Sequence, residues 1–196
     1  MKDWDVLYHY VLDCLKQKLP PYLTYHHWQH TLHVIEMSEF IAREENISID
    51  DILLIKTAAL FHDAGFIHIN KGHEAESIRL AAKKLPEFGY NDDEIQTIKG
   101  LIRATEIPQT PQNKLEDILA DADLEYLGTE DFETIGTKLY LELKHYKPDL
   151  SIREWNEIQI DFLQSHHYHT AYCIQHRTKK KENNLQKLIH SMNYPD

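Results

Sequence analysis

The amino-acid sequence predicts an all-α protein that folds into a compact multi-helix bundle. Apolar residues recur at spacings of three and four along nearly the whole chain, which is the period of an amphipathic helix. No stretch alternates with the period of two that is typical of a strand, and no internal repeat or low-complexity linker interrupts the pattern. Since 196 residues are enough to bury one good core, we predict a single domain over residues 1–196.

The first three helices are predicted from apolar spacing and from the residues that bound them. Apolar residues recur at helical spacing over 4–15, and Pro20-Pro21 ends that helix. A second helix begins at 24 or 25 and continues to about 45. A third runs from about 51 to 63, with Asp50 as its N-cap.

Six further helices follow a loop without periodicity at 65–72. The acidic run 91–94 favours a helix start because it complements the helix dipole, and the two prolines within 107–112 break the pattern. The sequence predicts these helices at about 73–86, 92–104, 113–127, 131–146, 151–166 and 171–190.

Composition excludes several classes of function. The formal net charge of −11 argues against binding of a nucleic-acid duplex, which requires a basic surface. Cys14 and Cys173 lie far apart without metal-ligand spacing, so we expect no disulfide framework and a reduced, cytoplasmic location. The chain starts without the cationic and apolar run of a signal peptide, and no apolar stretch is long enough for a membrane span.

The adjacent pair His62-Asp63 is the most informative feature of the sequence. It ends the apolar third helix, where burial of an imidazole and a carboxylate is costly unless something pairs with them. Both side chains can bind a divalent metal ion. The dipeptide alone is explained as well by a capped helix end with a satisfied histidine.

Histidines upstream offer more metal ligands. His26 and His30 stand four residues apart, so we predict that they share one helix face, with His33 close to it. Such a pair presents two imidazole nitrogens to one space. The alternative is an amphipathic helix whose polar edge is rich in histidine.

Asp121 and Asp123 supply carboxylates in the middle of an otherwise apolar helix. On a helix the two side chains diverge by roughly 200 degrees, so only one is expected to reach a given metal ion. The other is free to cap a helix or to orient a ligand histidine.

Taken together, these motifs resemble the HD superfamily of metal-dependent phosphohydrolases. The segment 25–30 (YHHWQH) is similar to the opening of cyclic-nucleotide phosphodiesterases and their bacterial relatives, and 122–124 (ADL) resembles the segment with the last ligand. Residues 107–128 resemble a bacterial subgroup of small, stand-alone HD proteins. The resemblance covers about 25–128 strongly and the C-terminal helices weakly, and it implies an HD-domain, phosphodiesterase-like bundle.

The resemblance also implies roles for individual residues. His26 matches the general acid of some phosphodiesterases, and its alternative is a hydrogen-bond donor that orients a ligand. Asp121 would replace Asp123 as a ligand if the register were off by two. The implied metal ligands are His30, His62, Asp63 and Asp123.

The implied activity is hydrolysis of a phosphate ester of a small nucleotide-like molecule by metal-activated water. Two imidazoles and two carboxylates suit Mn, Fe, Co, Ni, Zn or Mg. Asp63 would bind the ion and orient the water. The candidates for binding the substrate phosphate are Lys71, Arg103 and His73, with Lys83 and Lys84 as further cations.

One departure from the family pattern limits the number of metal ions. Residues 104–106 (ATE) stand where dinuclear relatives tend to have histidine. We therefore expect one ion per chain, or two if His73 and Glu74 complete a second site. The departure disfavours an HD-type diiron oxygenase; a non-catalytic regulatory HD domain is the other alternative. A homodimer stays open, since no exposed apolar stripe in the sequence decides it.

Overall fold

The computed structural model describes residues 2–193 and confirms the all-α prediction. Within those residues the chain forms nine α-helices and three short 3-10 turns, and none of them forms a strand. The helices are α1 (Trp4–Lys18), α2 (Trp28–Glu44), α3 (Ile49–Phe61), α4 (His73–Lys84), α5 (Asp92–Arg103), α6 (Lys114–Leu124), α7 (Phe132–Tyr146), α8 (Ile152–Ser165) and α9 (Ala171–Asn193). The 3-10 turns are Ala64–Ile67, Leu85–Phe88 and Glu125–Gly128.

Two predicted helix starts are wrong. The second helix begins at Trp28 because the carboxylate of Glu142 accepts the backbone N–H groups of Tyr25 and His26, at 2.9 and 3.0 Å, which holds 24–27 outside the helix. The third helix is capped by Ser48, whose hydroxyl accepts the N–H of Asp51. The predicted cap, Asp50, lies one residue inside the helix instead.

Helix α3 is the central element of the fold. It packs against α1, α2, α5 and α6, and it is apolar on nearly all sides. A helix with apolar residues all round is buried, because each face needs an apolar neighbour. The end of α3 therefore carries His62 and Asp63 into the interior, where both are at most 5% exposed.

The C-terminal helices surround the turn that follows α6. Helix α9 packs on the 3-10 turn Glu125–Gly128 and on α8, and α7 packs on the same turn. A second apolar cluster fills this region, with Leu124, Leu127 and Phe132 among its buried members. None of the helices within residues 2–193 combines the length and the apolar character needed to cross a bilayer. The single domain over 1–196 stays a prediction.

Gly65 is required where the turn Ala64–Ile67 crosses the start of α4. A Cβ atom at this position would lie 2.0 Å from the carbonyl oxygen of His73, which is backbone and cannot swing away. We expect Gly65→Ala to lower the free energy of unfolding by about 3 kcal/mol, through forced separation of packed backbone. Chemical denaturation measures this loss.

Gly100 provides the matched control for that substitution. A Cβ atom at Gly100 meets only the carboxylate oxygen of Glu116, at the far end of a flexible side chain. Alanine in a helix is favoured over glycine, so Gly100→Ala should be close to neutral. Equal stabilities of the two variants would contradict the close approach at Gly65.

Candidate metal centre

Four side chains from three helices converge at the centre of the fold. His30 lies on α2, Asp123 lies in the last turn of α6, and His62 and Asp63 directly follow α3. Because α2, α3 and α6 all pack against one another, these side chains face one another. His30, His62 and Asp123 each bring one ligand atom within 4.8 Å of the other two.

The distances between ligand atoms fit a single ion. Nε2 of His30 lies 3.0 Å from Oδ1 of Asp123 and 3.6 Å from Oδ2 of Asp63. Nε2 of His62 lies 3.4 Å from Nε2 of His30, 3.2 Å from Oδ2 of Asp63 and 3.5 Å from Oδ1 of Asp123. An ion with bonds of about 2.1 Å separates neighbouring ligand atoms by about 3.0 to 3.4 Å.

The hydrogen bonds of His62 and Asp63 leave one acceptor atom of each side chain facing the cluster. Nδ1 of His62 donates to the carbonyl oxygen of Ala59 at 2.7 Å, which leaves the lone pair of the neutral ring on Nε2, toward the cluster. Oδ2 of Asp63 is buried and has no hydrogen-bond partner among the described residues. Buried polar atoms nearly always have a partner, and a bound cation would provide one for this oxygen.

Electrostatics in the cluster also favour a cation. Burial acts to lower the pKa of His62, but the carboxylates of Asp63 and Asp123 outweigh it and raise that pKa well above its usual value. Burial acts to raise the pKa of Asp123, and the two histidines hold it well below its usual range. The buried carboxylates thus favour positive charge beside them, which a divalent ion would supply.

Asp121 and Asp123 have different partners. Asp123 lies at the cluster, whereas Asp121 is fully buried and accepts the backbone N–H groups of His169 and Thr170, at 3.0 and 2.8 Å. The hydroxyl of Thr170 donates to the same carboxylate at 2.7 Å. Burial raises the pKa of Asp121, and the bonds from Thr170 oppose that rise. Asp121 therefore anchors the start of α9.

Replacement of Asp121 by asparagine should destabilise the protein without removing metal. The amide NH₂ would face a backbone N–H where an oxygen now accepts, which leaves a buried donor unpaired. We expect Asp121→Asn to lower the free energy of unfolding by about 2 kcal/mol. Urea denaturation and metal analysis of the same sample measure both quantities, and loss of the ion with unchanged stability would contradict this assignment.

His26 is held by a carboxylate that the sequence analysis missed. Nδ1 of His26 lies 2.5 Å from Oε1 of Glu142, a buried residue of α7. Burial acts to lower the pKa of His26, but the bond to Glu142 together with the charges of Asp63 and Asp123 outweighs burial and raises that pKa. Since His26 precedes α2, the prediction that it shares a helix face with His30 is wrong. The sequence did offer an indication of this contact, because Glu142 places a carboxylate close to Leu139 and Leu143 on the apolar face of α7.

His73 lies on the other side of Asp63. Its Nε2 is 3.4 Å from Oδ1 of Asp63 and 3.5 Å from Oε1 of Glu74. The rings of His73 and His26 stack on Phe66, with centroid distances of 3.8 and 4.4 Å. Phe66 therefore fixes both histidines beside the cluster. His33 points elsewhere and pairs with Glu125 at 3.1 Å.

A cavity of about 270 Å³ opens beside the cluster. Its polar end contains His26, Asp63, His73, Glu74, Thr105 and Asp123. Lys71 and Arg103 are exposed, and neither is among the described residues that line the cavity. Lys83 is exposed as well, and Lys84 pairs with Glu87 at 2.6 Å. Of the candidates for binding phosphate, the structure brings only His73 to the cluster.

Comparison with known protein families identifies the chain. The model of the HD domain matches residues 28–125, which is half of the chain and includes all four converging side chains. The chain belongs to the HD domain family. The resemblance seen in the sequence is thereby confirmed.

Two solved structures share this HD fold. One is a predicted HD superfamily hydrolase from an uncultured Thermotogales bacterium, with 18% identity and a TM-score of 0.61 over 94% of this chain and 88% of that chain. The other is Bacillus subtilis YpgQ in complex with ADP, with 17% identity and a TM-score of 0.64 over 96% and 97% of the two chains. A search of curated proteins found no match.

Proposed function

We propose that this HD domain protein hydrolyses a phosphate ester with water activated by one divalent ion. The observation that carries the proposal is the convergence of two imidazoles and two carboxylates on one point beside an open cavity. This ligand set suits Mn, Fe, Co, Ni, Zn or Mg. The ligands would be His30, His62, Asp63 and Asp123.

When bound, such an ion lowers the pKa of a water molecule and polarises a phosphoryl oxygen. Asp63 would orient the attacking water, because one of its oxygens faces the two ligand histidines and the other faces His73. His73 would face the substrate phosphate from the cavity wall; its Nδ1 donates to the carbonyl oxygen of Asn70 at 3.2 Å, which turns its Nε2 toward Asp63. Phosphate binding by Lys71 and Arg103 stays a prediction. Both side chains are exposed, and neither is among the described residues that line the cavity.

His26 would act as the general acid. Its Nδ1 is engaged by Glu142, so Nε2 is the atom that can carry a proton toward the cavity. Glu142 favours the protonated ring, which is the form that an acid requires. The proton would pass from Nε2 to the leaving oxygen of the ester.

A second candidate function depends on a second ion. Oδ1 of Asp63, Nε2 of His73 and Oε1 of Glu74 lie within 3.5 Å of their neighbours in this group, and they could hold an ion beside the first. Two bound irons would favour the diiron oxygenase. A bound ion without turnover would favour a regulatory HD domain instead.

The experiment is reconstitution of metal-free protein with Mn, Mg, Co, Ni or Fe, followed by elemental analysis and assays of phosphate release. The substrate panel contains phosphomonoesters, phosphodiesters and nucleotides; ADP is included because YpgQ was solved with it. We expect one ion per chain and release only with metal. Two irons and no release would favour the oxygenase, and one ion without release would contradict catalysis.

A further inference from the structure

We infer that the substrate is a singly phosphorylated molecule whose organic part is apolar, an alkyl or aryl phosphate, and not a polyphosphate. The inference rests on the proposed function for the position of the phosphate. It is carried by the shape and chemistry of the cavity, in which the candidate metal centre forms one end and an apolar arm forms the rest.

The apolar arm lies between α7 and α8. Helix α7 packs on the turn Glu125–Gly128 and α8 packs on α9, and the two helices touch where the rings of Tyr140 and Trp155 stack with their centroids 6.2 Å apart. The arm lies beside this contact, since Trp155 also lines the cavity. Side chains from α7, α8 and the turn line the arm, among them Leu127, Phe132, Leu139, Leu143, Trp155 and Phe162. Leu139, Leu143 and Phe162 are only half-buried by the chain itself, so a ligand in the arm would cover apolar surface that the fold leaves open.

The size of the cavity indicates a small ligand. Its volume of about 270 Å³ lies near the lower end of small-molecule pockets. The polar and apolar parts belong to one continuous cavity, so a ligand with its phosphate at Asp63 and His73 would extend its organic part into the arm.

The charges around the cavity argue against a polyphosphate. No Lys or Arg of residues 2–193 lines it, and its ionisable groups include three carboxylates, on Asp63, Glu74 and Asp123. One divalent ion can bind one phosphate group. A nucleoside triphosphate carries further anionic oxygens, which proteins usually bind with Arg, Lys or helix N-termini.

The arm also offers little to a nucleoside. Among the described residues that line the arm, the polar side-chain groups are tyrosine hydroxyls and the amide of Gln159. The hydroxyls of a ribose and the edge of a base would lose water there without gaining enough partners, which is unfavourable. An alkyl chain or an unsubstituted ring has no such requirement.

The test is calorimetric binding of a series of n-alkylphosphonates, from methyl to octyl, to the metal-reconstituted protein. These compounds keep the phosphoryl group and cannot be hydrolysed, so binding is measured without turnover. We expect the dissociation constant to fall about three- to fourfold with each methylene until the arm is full. Phenylphosphonate distinguishes an aryl group from an alkyl chain, and ADP and ATP should bind more weakly than octylphosphonate. Affinity independent of chain length, or tightest for ATP, would overturn the inference.

A matched pair of variants on α7 locates the effect. Leu143 lines the arm, whereas Leu141 is 54% exposed and is not among the described residues that line it. We expect Leu143→Gln to weaken octylphosphonate binding at least tenfold with methylphosphonate unchanged, and Leu141→Gln to change neither. Equal effects of the two substitutions would overturn the inference. If Leu143→Gln does not fold, the chain-length series on the unmodified protein still decides.

Assays of phosphate release from the corresponding alkyl phosphates, run beside the phosphonate series, separate this inference from the proposed function. Binding that depends on chain length, with no hydrolysis of any alkyl phosphate, would contradict catalysis and support the apolar site. Hydrolysis of nucleotides in preference to octyl phosphate would support catalysis and overturn the apolar substrate.

Discussion

Asp123→Asn should lower the affinity for divalent metal more than 100-fold and abolish metal-dependent hydrolysis. Asparagine keeps the size of the side chain but removes the charge that faces Nε2 of His30 at 3.0 Å. Even residues that only orient a ligand affect metal affinity by about 10- to 100-fold, so loss of a ligand charge should exceed that range. Titration of metal-free protein with Mn(II), together with phosphate release, measures both effects.

The control is Asp121→Asn, two residues away on the same helix. Asp121 bonds to the start of α9, so this variant should keep its metal and lose stability instead. The two substitutions change the same functional group at nearly the same place in the sequence. If Asp123→Asn bound Mn(II) as tightly as the unmodified protein, Asp123 would not be a ligand.

His26→Ala should reduce kcat by about 10²- to 10⁴-fold while metal content stays unchanged. The imidazole faces the cavity but lies outside the cluster of ligand atoms, and Glu142 holds its other nitrogen. Loss of the ring would remove the proton donor for the leaving oxygen. The fall in kcat should be smaller for substrates with a good leaving group, such as p-nitrophenyl phosphate, than for alkyl phosphates, because a good leaving group needs less protonation.

Two further variants separate an acid from a residue that only shapes the pocket. Glu142→Gln removes the charge that supports the protonated ring, and its NH₂ group would also face a donor that Glu142 now accepts. We expect kcat to fall less than in His26→Ala, and chemical denaturation of the same variant measures the accompanying loss of stability. His27→Ala is the matched control, since the side chain of His27 does not line the cavity beside the cluster. A loss at His26 that is equal for good and poor leaving groups would contradict the role as acid.

The helical fold was predictable from local signals, and the cluster of four side chains from local signals together with the family resemblance. Apolar spacing fixes which face of each helix is buried, and the burial of His62-Asp63 follows from the apolar run before it. The family resemblance then supplied His30 and Asp123, and the structure brings all four side chains together. Their role in binding metal stays a proposal.

Contacts between distant parts of the chain explain what the sequence analysis missed. The start of α2 depends on Glu142, which lies more than a hundred positions away from Tyr25 and His26. The position of Asp121 depends on His169 and Thr170, which helical spacing around α6 cannot reveal. The cavity depends on how α7, α8 and the turn Glu125–Gly128 pack around it, which involves residues far apart in the sequence. The homodimer and the cytoplasmic location stay predictions.

The most direct test of the account is anomalous diffraction from a crystal grown with Mn(II). We predict one strong anomalous peak per chain, within bonding distance of His30, His62, Asp63 and Asp123 at the polar end of the cavity. A crystal of Asp123→Asn grown in the same way should lack that peak. A fully occupied ion elsewhere, or no ion between these four side chains, would contradict the metal centre on which the proposed hydrolysis depends.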